Sequence, residues 1–122
     1  MTWTVVLCDA FLEELAAFEP GLRNELLAEL RHLEAFGPKL GRPKVDTLKG
    51  SKFANMKELR FIYRRDPYRF FFAFDPDRQA VVLVGGNKSG DKRFYERLIP
   101  VADARFADYL RQQTEEAHRT KQ

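Results

Sequence analysis

Apolar residues recur with two different periods along this chain of 122 residues. In the first third they return every three or four positions, which is the period of an amphipathic helix. From Met56 onward they return at every second position, which is the period of a strand with one buried face. The pattern therefore predicts a helical region followed by a sheet.

Two helices are predicted after an opening strand over residues 3–7, which is rich in aromatic and β-branched residues. Asp9 is expected to cap the first helix, and Pro20 interrupts it. Gly37 is expected to end the second helix. The predicted inner faces hold Phe11, Leu12 and Leu15 in the first helix and Leu22, Leu26, Leu30 and Leu33 in the second.

The next segment, residues 38–54, contains prolines, glycines and several cations, and it predicts a long surface loop of a kind that is often functional. Strands are then predicted over residues 56–63, 68–74 and 80–84, as an antiparallel meander joined by short turns.

The carboxy-terminal third predicts helix. Gly85-Gly86 is expected to end the third strand of the meander, and a short helix over residues 91–98 follows it. Pro100 is expected to start a second helix, and the polar residues 112–122 are expected to fray. The predicted fold class is α+β, in one domain covering residues 1–122.

The composition fits a folded globular protein, since 44% of the residues are hydrophobic and 13% are aromatic. A single cysteine, Cys8, cannot form an internal disulfide. The sequence shows no signal-peptide pattern and no apolar run of membrane-spanning length. We therefore expect a cytoplasmic protein with no membrane partner.

Positive charge is concentrated in one part of the sequence. Residues 1–36 carry two arginines against seven acidic residues, a net charge of −5, whereas residues 37–69 carry ten cations against three acidic residues, a net charge of +7. Apolar strand positions alternate with lysine and arginine here, without a metal-ligand cluster or an evident acid–base pair. A sheet of this kind is suited to binding phosphate, which makes RNA the first candidate substrate. No cofactor is predicted.

Five fragments of the sequence carry a family resemblance. They are Leu48-Lys49-Gly50, Lys57-Glu58-Leu59-Arg60, Tyr68-Arg69, Val84-Gly85-Gly86-Asn87-Lys88-Ser89 and Ile99-Pro100-Val101-Ala102-Asp103. In this order they make the chain resemble the RelE/ParE superfamily of type II toxins, and within it the phage-derived, HigB-like branch. The resemblance extends from the first strand to Tyr109.

The resemblance implies a RelE-like fold and a toxin that enters the ribosomal A site and cleaves messenger RNA there. The activity would be that of a ribosome-dependent endoribonuclease that inhibits translation. The resemblance also implies a cognate antitoxin, a HigA-like helix-turn-helix protein, through which alone the toxin would associate with operator DNA.

The catalytic candidates are Arg60, Arg69, Lys88, Tyr95 and Lys57. An arginine can grip two phosphate oxygens and stays charged at any working pH. Lys88 lies near a position where the resembled family places a cation. Tyr95 lies close to the family's functional tyrosine, where it would stack on a base or orient the attacking hydroxyl. An alternative role for Arg60 is an ion pair with Glu58, while Asp66 is the acidic residue adjacent to Arg69.

No general base is evident from the sequence, because His32 lies in the second helix and His118 in the tail. Lys57 or Lys52 is the first candidate, with a pKa lowered by neighbouring cations. Asp91, Lys92 and Arg93 are the alternatives. The residues expected to bind RNA are Lys49, Lys52, Lys92 and Arg93, which would make binding fall steeply with salt.

Two other functions are compatible with the sequence. ParE-like members share the resembled fold and inhibit DNA gyrase without cutting RNA. A degenerate toxin would act only as a nucleic-acid-binding regulatory partner.

Overall fold

A computed structural model describes residues 2–120 of the chain as a five-stranded sheet with helices against both faces. In chain order, the elements are β1 (Thr4–Leu7), α1 (Asp9–Ala16), α2 (Pro20–Phe36), a short 3₁₀ helix (Gly37–Lys39), β2 (Val45–Thr47), β3 (Met56–Tyr63), β4 (Asp66–Phe74), β5 (Gln79–Asn87) and α3 (Phe94–Thr120).

The sheet has the strand order β1-β5-β4-β3-β2. The β3–β4–β5 meander is antiparallel, as predicted, and β2 pairs antiparallel with β3. β1 pairs with β5 in parallel, and the two helices that follow β1 carry the chain across to β2 at the opposite edge of the sheet. This arrangement confirms the predicted α+β fold class.

Two consecutive phenylalanines show how the core is divided between the two faces of the sheet. Phe70 packs edge-on against Phe11 of α1, with ring centroids 5.9 Å apart. Phe71 points to the opposite face and meets Phe94 of α3, also at 5.9 Å. Because neighbouring strand residues point to opposite faces, the buried residues 70–73 make β4 buried on both sides.

The predicted loop over residues 38–54 is wrong in part, because it contains β2. Val45 and Leu48 are buried there, with exposed fractions of 4% each. Pairing with β3 satisfies the backbone groups of this short strand. The many cations and turn residues around it obscure the strand in the sequence.

The predicted end of the third meander strand at Gly85-Gly86 is also wrong, since β5 continues through both glycines to Asn87. Gly85 lies opposite Phe70, and a Cβ added to Gly85 would meet that ring at 2.2 Å. The glycine therefore provides room for a core aromatic side chain rather than ending the strand.

Pro100 lies inside α3 and does not start a new helix. A proline in a helix interior costs about 3 kcal/mol through its missing N–H and its ring. Buried Phe94 and Leu98 precede it on the core face, and buried Ala102 and Phe106 follow it at the same four-residue spacing. Packing of this continuous face against the sheet offsets the cost.

Two predictions about helix ends need correction. Asp9 does not cap α1: Cys8 occupies the N-cap position, and Asp9 lies in the first turn. The frayed tail predicted from residue 112 is helical as far as Thr120, and the remainder of that prediction lies outside the described residues. The predicted end of α2 is confirmed, with Gly37 at the C-cap and a φ of 55°.

Candidate functional site

The sheet face under the amino-terminal turns of α3 brings together the cations of the β3–β4 hairpin. Arg60 on β3 lies directly opposite Arg69 on β4. Glu58 shares this face, two residues before Arg60. Placing two arginines opposite each other is unfavourable unless something negative compensates them.

Glu58 supplies part of that compensation, because its carboxylate is almost buried between the sheet and α3. The residue is 9% exposed. Its Oε1 accepts a hydrogen bond of 2.8 Å from the Tyr95 hydroxyl and lies 3.6 Å from Arg69 Nε. The other oxygen, Oε2, makes no hydrogen bond to the described residues, and the side chain as a whole is 12% exposed. Glu58 is therefore a carboxylate held at one oxygen and open at the other.

Arg69 is buried along most of its length, with a side chain 11% exposed. Its Nη1 donates a 3.0 Å hydrogen bond to the Tyr68 carbonyl, and its Nε makes no hydrogen bond to any described group. The adjacent Asp66 accepts instead from Asn87, at 2.9 Å. Arg69 thus pairs with Glu58, an acid from the neighbouring strand that was considered only as an alternative partner of Arg60.

Tyr95, in the first turn of α3, covers the site on the side that faces this helix. Its ring stacks on Phe71 with centroids 5.8 Å apart. Lys88 Nζ lies 5.5 Å from the centroid of the same ring, within the range of a cation–π contact. Burial, together with the hydrogen bond to Glu58, raises the pKa of the Tyr95 phenol, so the hydroxyl stays protonated at neutral pH.

Lys88 is held by the turn that follows β5. Its backbone N–H donates to the Pro67 carbonyl at 2.8 Å, and the Ser89 N–H donates to the Asn87 side chain at 2.8 Å. Gly86 lies opposite Arg69, and a Cβ added to it would meet nothing within 4 Å. The backbone beside Arg69 is therefore open to a ligand.

A groove of about 300 Å³ runs along the outer edge of β3 and is lined by Lys44, Arg60 and Arg69, together with Pro43, Phe61 and Ile62. Lys44 forms a part-buried ion pair with Glu29 of α2, with Nζ 2.8 Å and 2.7 Å from the two carboxylate oxygens. The Arg60 side chain has no ion-pair partner among the described residues. Arg60 is therefore the cation of the groove that is free to bind an anion.

Lys57 does not join these residues. It is directly opposite Phe72 on β4, whereas Arg60 is opposite Arg69, and the odd spacing places Lys57 on the other face of the sheet. Its Nζ donates to Thr47 Oγ1 at 3.0 Å. The predicted catalytic group of Arg60, Arg69, Lys88 and Tyr95 is brought together, and Lys57 lies apart from it.

The loop that carries Lys49 and Lys52 is fastened to α3 by a buried carboxylate. Asp103 is 7% exposed and accepts from Ser51 Oγ at 2.5 Å and from the Lys52 backbone N–H at 2.9 Å. Phe53 packs edge-on against Phe106 of the same helix, with centroids 4.9 Å apart. Both lysine side chains remain exposed.

Along α3, Asp103 follows Tyr95 by eight residues, which corresponds to about 12 Å of helix. The lysine loop and the Glu58–Tyr95 pair therefore lie along the same helix.

The remaining candidates lie around the start of α3 or far from it. Lys92 and Arg93 are exposed in the turn before the helix. Asp91 forms an ion pair of 2.6 Å with Arg97, and hydrogen bonding from that arginine lowers its pKa, which makes it a poor proton acceptor. His32 is beside Glu29 on α2, with 3.7 Å between Nδ1 and Oε2.

Glu58 and Asp103 are the residues whose roles the sequence did not reveal. Glu58 lies within the Lys57-Glu58-Leu59-Arg60 fragment, but its burial depends on α3, which lies far away in the sequence. The signal that could have identified it is an acid on the same strand face as an unpaired arginine. Within residues 2–120, no cluster of three or more potential metal ligands occurs. None of the helices described there is long and apolar enough to span a bilayer.

The chain matches the family described as phage-derived protein Gp49-like over residues 13–107. Two proteins of Mycobacterium tuberculosis, both named as toxins, are similar to it. It is 43% identical to HigB2 over 118 residues, which cover 88% of this chain and 59% of HigB2. It is 52% identical to HigB3 over 79 residues, which cover 64% of this chain and 68% of HigB3.

A mutant of the E. coli toxin RelE, solved in the free state, has a similar structure. The TM-score is 0.56 at 16% identity, and the match covers 80% of this chain and 96% of RelE. This likeness establishes the fold and confirms the predicted RelE-like architecture. Since the chain spans only 59% of HigB2, its activity has to be argued from its own residues.

Proposed function

The chain belongs to the phage-derived Gp49-like family, and we propose that it is the toxin of a type II toxin–antitoxin system, a ribosome-dependent endoribonuclease that cleaves messenger RNA. The resemblance to the HigB-like branch of the RelE/ParE superfamily is confirmed by the two mycobacterial relatives. Those relatives carry the names of toxins, and the proposal extends that name to this chain.

One observation carries the proposed activity: Arg60, Arg69 and Lys88 are gathered around the hydrogen-bonded pair of Glu58 and Tyr95. Three cations on one face suit a substrate with negative charge at its reacting centre. A carboxylate with one open oxygen adds the proton acceptor that the cations alone lack.

The proposed reaction is attack of a ribose 2′-hydroxyl on the adjacent phosphate. The 2′-oxygen–phosphorus bond forms and the bond to the 5′-oxygen breaks, leaving a 2′,3′-cyclic phosphate and a 5′-hydroxyl. Glu58 Oε2 takes the proton from the 2′-hydroxyl, and the departing 5′-oxygen is protonated by water. Tyr95 and Arg69 hold the other carboxylate oxygen and so orient Oε2.

Arg60 and Arg69 would stabilise the charge that develops on the phosphate. Fixed donors of this kind typically contribute about 10²–10³ in rate each, because no solvent has to reorganise around them. Arg69 Nε is buried and lies 3.6 Å from Glu58 Oε1, so Arg69 would act mainly through its positive charge and by orienting Glu58. Lys88, over the Tyr95 ring, would add a third positive charge at the open side of the site.

The partners follow from the same proposal. A toxin of this kind requires a cognate antitoxin, and the HigB names of the relatives favour a HigA-like helix-turn-helix protein. The ribosome would present the messenger RNA. The exposed Lys49, Lys52, Lys92 and Arg93 are candidate contacts to RNA around the site.

The test is induction of the protein in growing cells, followed by mapping of transcript 5′ ends. We expect growth arrest and new 5′ ends in phase with the reading frame of translated messages. Arg60→Ala is expected to reduce cleavage strongly. Lys57→Ala removes a cation from the opposite face and serves as the matched control, with cleavage retained.

Intact transcripts together with an induced DNA damage response would overturn the proposal in favour of gyrase inhibition. A folded product that arrests nothing in the absence of any antitoxin would indicate a purely regulatory protein.

A further inference from the structure

The tip of the β3–β4 hairpin is built from two arginines in an unfavourable backbone conformation. Tyr63 pairs with Asp66, so the connecting loop consists of Arg64 and Arg65 alone. Their φ angles are 49° and 71°, both in the left-handed region. A two-residue loop with positive φ at both positions has the pattern of a type I′ turn.

Turns of this type strongly prefer asparagine or aspartate followed by glycine, because a Cβ disfavours the left-handed region. An Arg-Arg turn is therefore less stable than the turn that the same backbone would form with Asn-Gly. Strain retained at a surface turn is a reason to look for a function of the side chains.

The contacts of Arg64 and Arg65 do not explain why arginine occupies both positions of this turn. Arg64 lies over the Tyr63 ring at 5.5 Å and forms an exposed ion pair of 3.4 Å with Glu19, and its side chain is 73% exposed. Exposed ion pairs contribute little to stability. The Arg65 side chain is exposed and has no ion-pair or hydrogen-bond partner within residues 2–120.

The hairpin tip lies at the end of the two strands that carry the proposed active site, with Arg64 turned towards Glu19 on the α2 side of the sheet and Arg65 exposed. Arg60 and Arg69 lie opposite each other on the same two strands that lead to the tip. Arg64 is four residues beyond Arg60, which corresponds to about 13 Å along a strand. The hairpin therefore carries four arginines, with like charges close together both at its tip and at the site.

We propose that the Arg64-Arg65 tip is an RNA-binding element that grips the backbone of the single strand cleaved at the adjacent site. This inference rests on the proposed function and adds a binding site to it. The ligand is inferred from its charge. Two neighbouring guanidinium groups at an exposed turn can bind successive phosphates of an extended polyanion. On this proposal, arginine occupies both turn positions despite the strain, because the better-suited Asn-Gly pair would remove both positive charges.

The test is a double variant, Arg64→Asn with Arg65→Gly, that relaxes the turn and removes its charges. If the tip is only structural, the variant changes stability alone. We expect the melting temperature to rise by about 2–8 °C, because the new residues suit the turn.

The affinity for a short fluorescent single-stranded RNA, followed by anisotropy, should fall at low salt. The slope of log affinity against log salt should become shallower by roughly 0.7 for each lost phosphate contact.

A charge-matched control is available at the other end of the sheet. Arg78 also has a positive φ, of 61°, in the β4–β5 turn, and it lies near Lys39 around Trp3. Arg78→Gly with Lys39→Ala removes the same net charge far from the site. This control should keep the salt slope of the wild-type protein.

Equal slope changes in the two variants would overturn the proposal, because net charge alone would then explain binding. An unchanged RNA affinity in the hairpin variant would also overturn it, whether or not binding to ribosomes or antitoxin changes. Wild-type protein that does not bind the strand would have the same consequence. Transcript cleavage in cells is measured separately, so the proposed function can stand or fall independently.

Discussion

The Tyr95 hydroxyl donates a 2.8 Å hydrogen bond to Glu58 Oε1 and thereby connects the first turn of α3 to the middle of β3. The two residues are separated by 37 positions in the sequence. This bond fixes which carboxylate oxygen remains open to a substrate. It also places the aromatic ring over Phe71, between the sheet and Lys88.

Removing this hydroxyl should impair activity more than folding. In Tyr95→Phe the ring keeps its stacking on Phe71, and the lost hydrogen bond costs about 1 kcal/mol of unfolding free energy. We expect transcript cleavage to fall by roughly tenfold or more, because Glu58 loses the group that orients it. Denaturant unfolding and quantitative 5′-end mapping measure the two effects. Equal cleavage by the variant and the wild type would contradict this role.

The proton acceptor can be tested with a substitution that preserves its shape. Glu58→Gln keeps an oxygen to accept from Tyr95 but removes the base. The expected loss of cleavage is about 10²–10⁴-fold, the usual contribution of a general base. Toxin expressed in cells and mapped for transcript ends would provide the measurement.

Arg69→Lys is the companion variant to Glu58→Gln. It keeps a positive charge near Glu58 and therefore separates the geometry of the guanidinium from charge alone. We expect reduced cleavage in a folded protein.

For the Glu58→Gln variant, full activity would show that another group accepts the proton.

The periodic parts of the fold could be predicted from the sequence, because their signals are local. Both amino-terminal helices and the meander follow from the three-, four- and two-residue spacing of apolar positions, and the opening strand follows from its aromatic and β-branched residues. β2 could not be predicted, since a three-residue strand among cations has no period and is stabilised by its pairing with β3. The helix start predicted at Pro100 was wrong, because packing of the α3 residues before and after it against the sheet outweighs the free-energy cost of a proline inside a helix.

The cations of the site could be predicted but its acid could not. Arg60 and Arg69 stand out as cations in apolar strands. Glu58 resembles an ordinary surface acid until α3 covers it and Tyr95 binds it. Lys57 was wrongly grouped with the arginines because side chains alternate between the two faces of a strand. Its odd spacing from Arg60 places it on the other face of the sheet.

Cys8 offers a chemical probe of the fold. Its thiol is buried at the end of β1, and its Sγ lies 3.6 Å from the Leu83 carbonyl. Burial raises the pKa of the thiol, so at pH 8 the folded protein holds less of the reactive thiolate than a free cysteine does. We expect slow reaction with Ellman's reagent in the native protein and fast reaction in denaturant. Fast labelling without denaturant would contradict the burial of β1 against β5.

Asp103 should control RNA binding without touching RNA. Its carboxylate holds Ser51 and the Lys52 backbone, so Asp103→Asn should loosen the loop that carries Lys49 and Lys52. We expect weaker binding of single-stranded RNA and a loss of about 1–3 kcal/mol in unfolding free energy, since a buried acceptor is replaced. Asp108→Asn changes an exposed carboxylate on the same helix and should leave both quantities nearly unchanged.

A double-mutant cycle separates positioning from general destabilisation. In a Lys49→Ala/Lys52→Ala background, Asp103→Asn should cost the same stability but no further RNA affinity, because the side chains that it positions are already gone. An undiminished additional loss of affinity in that background would show that Asp103 acts on another part of the site.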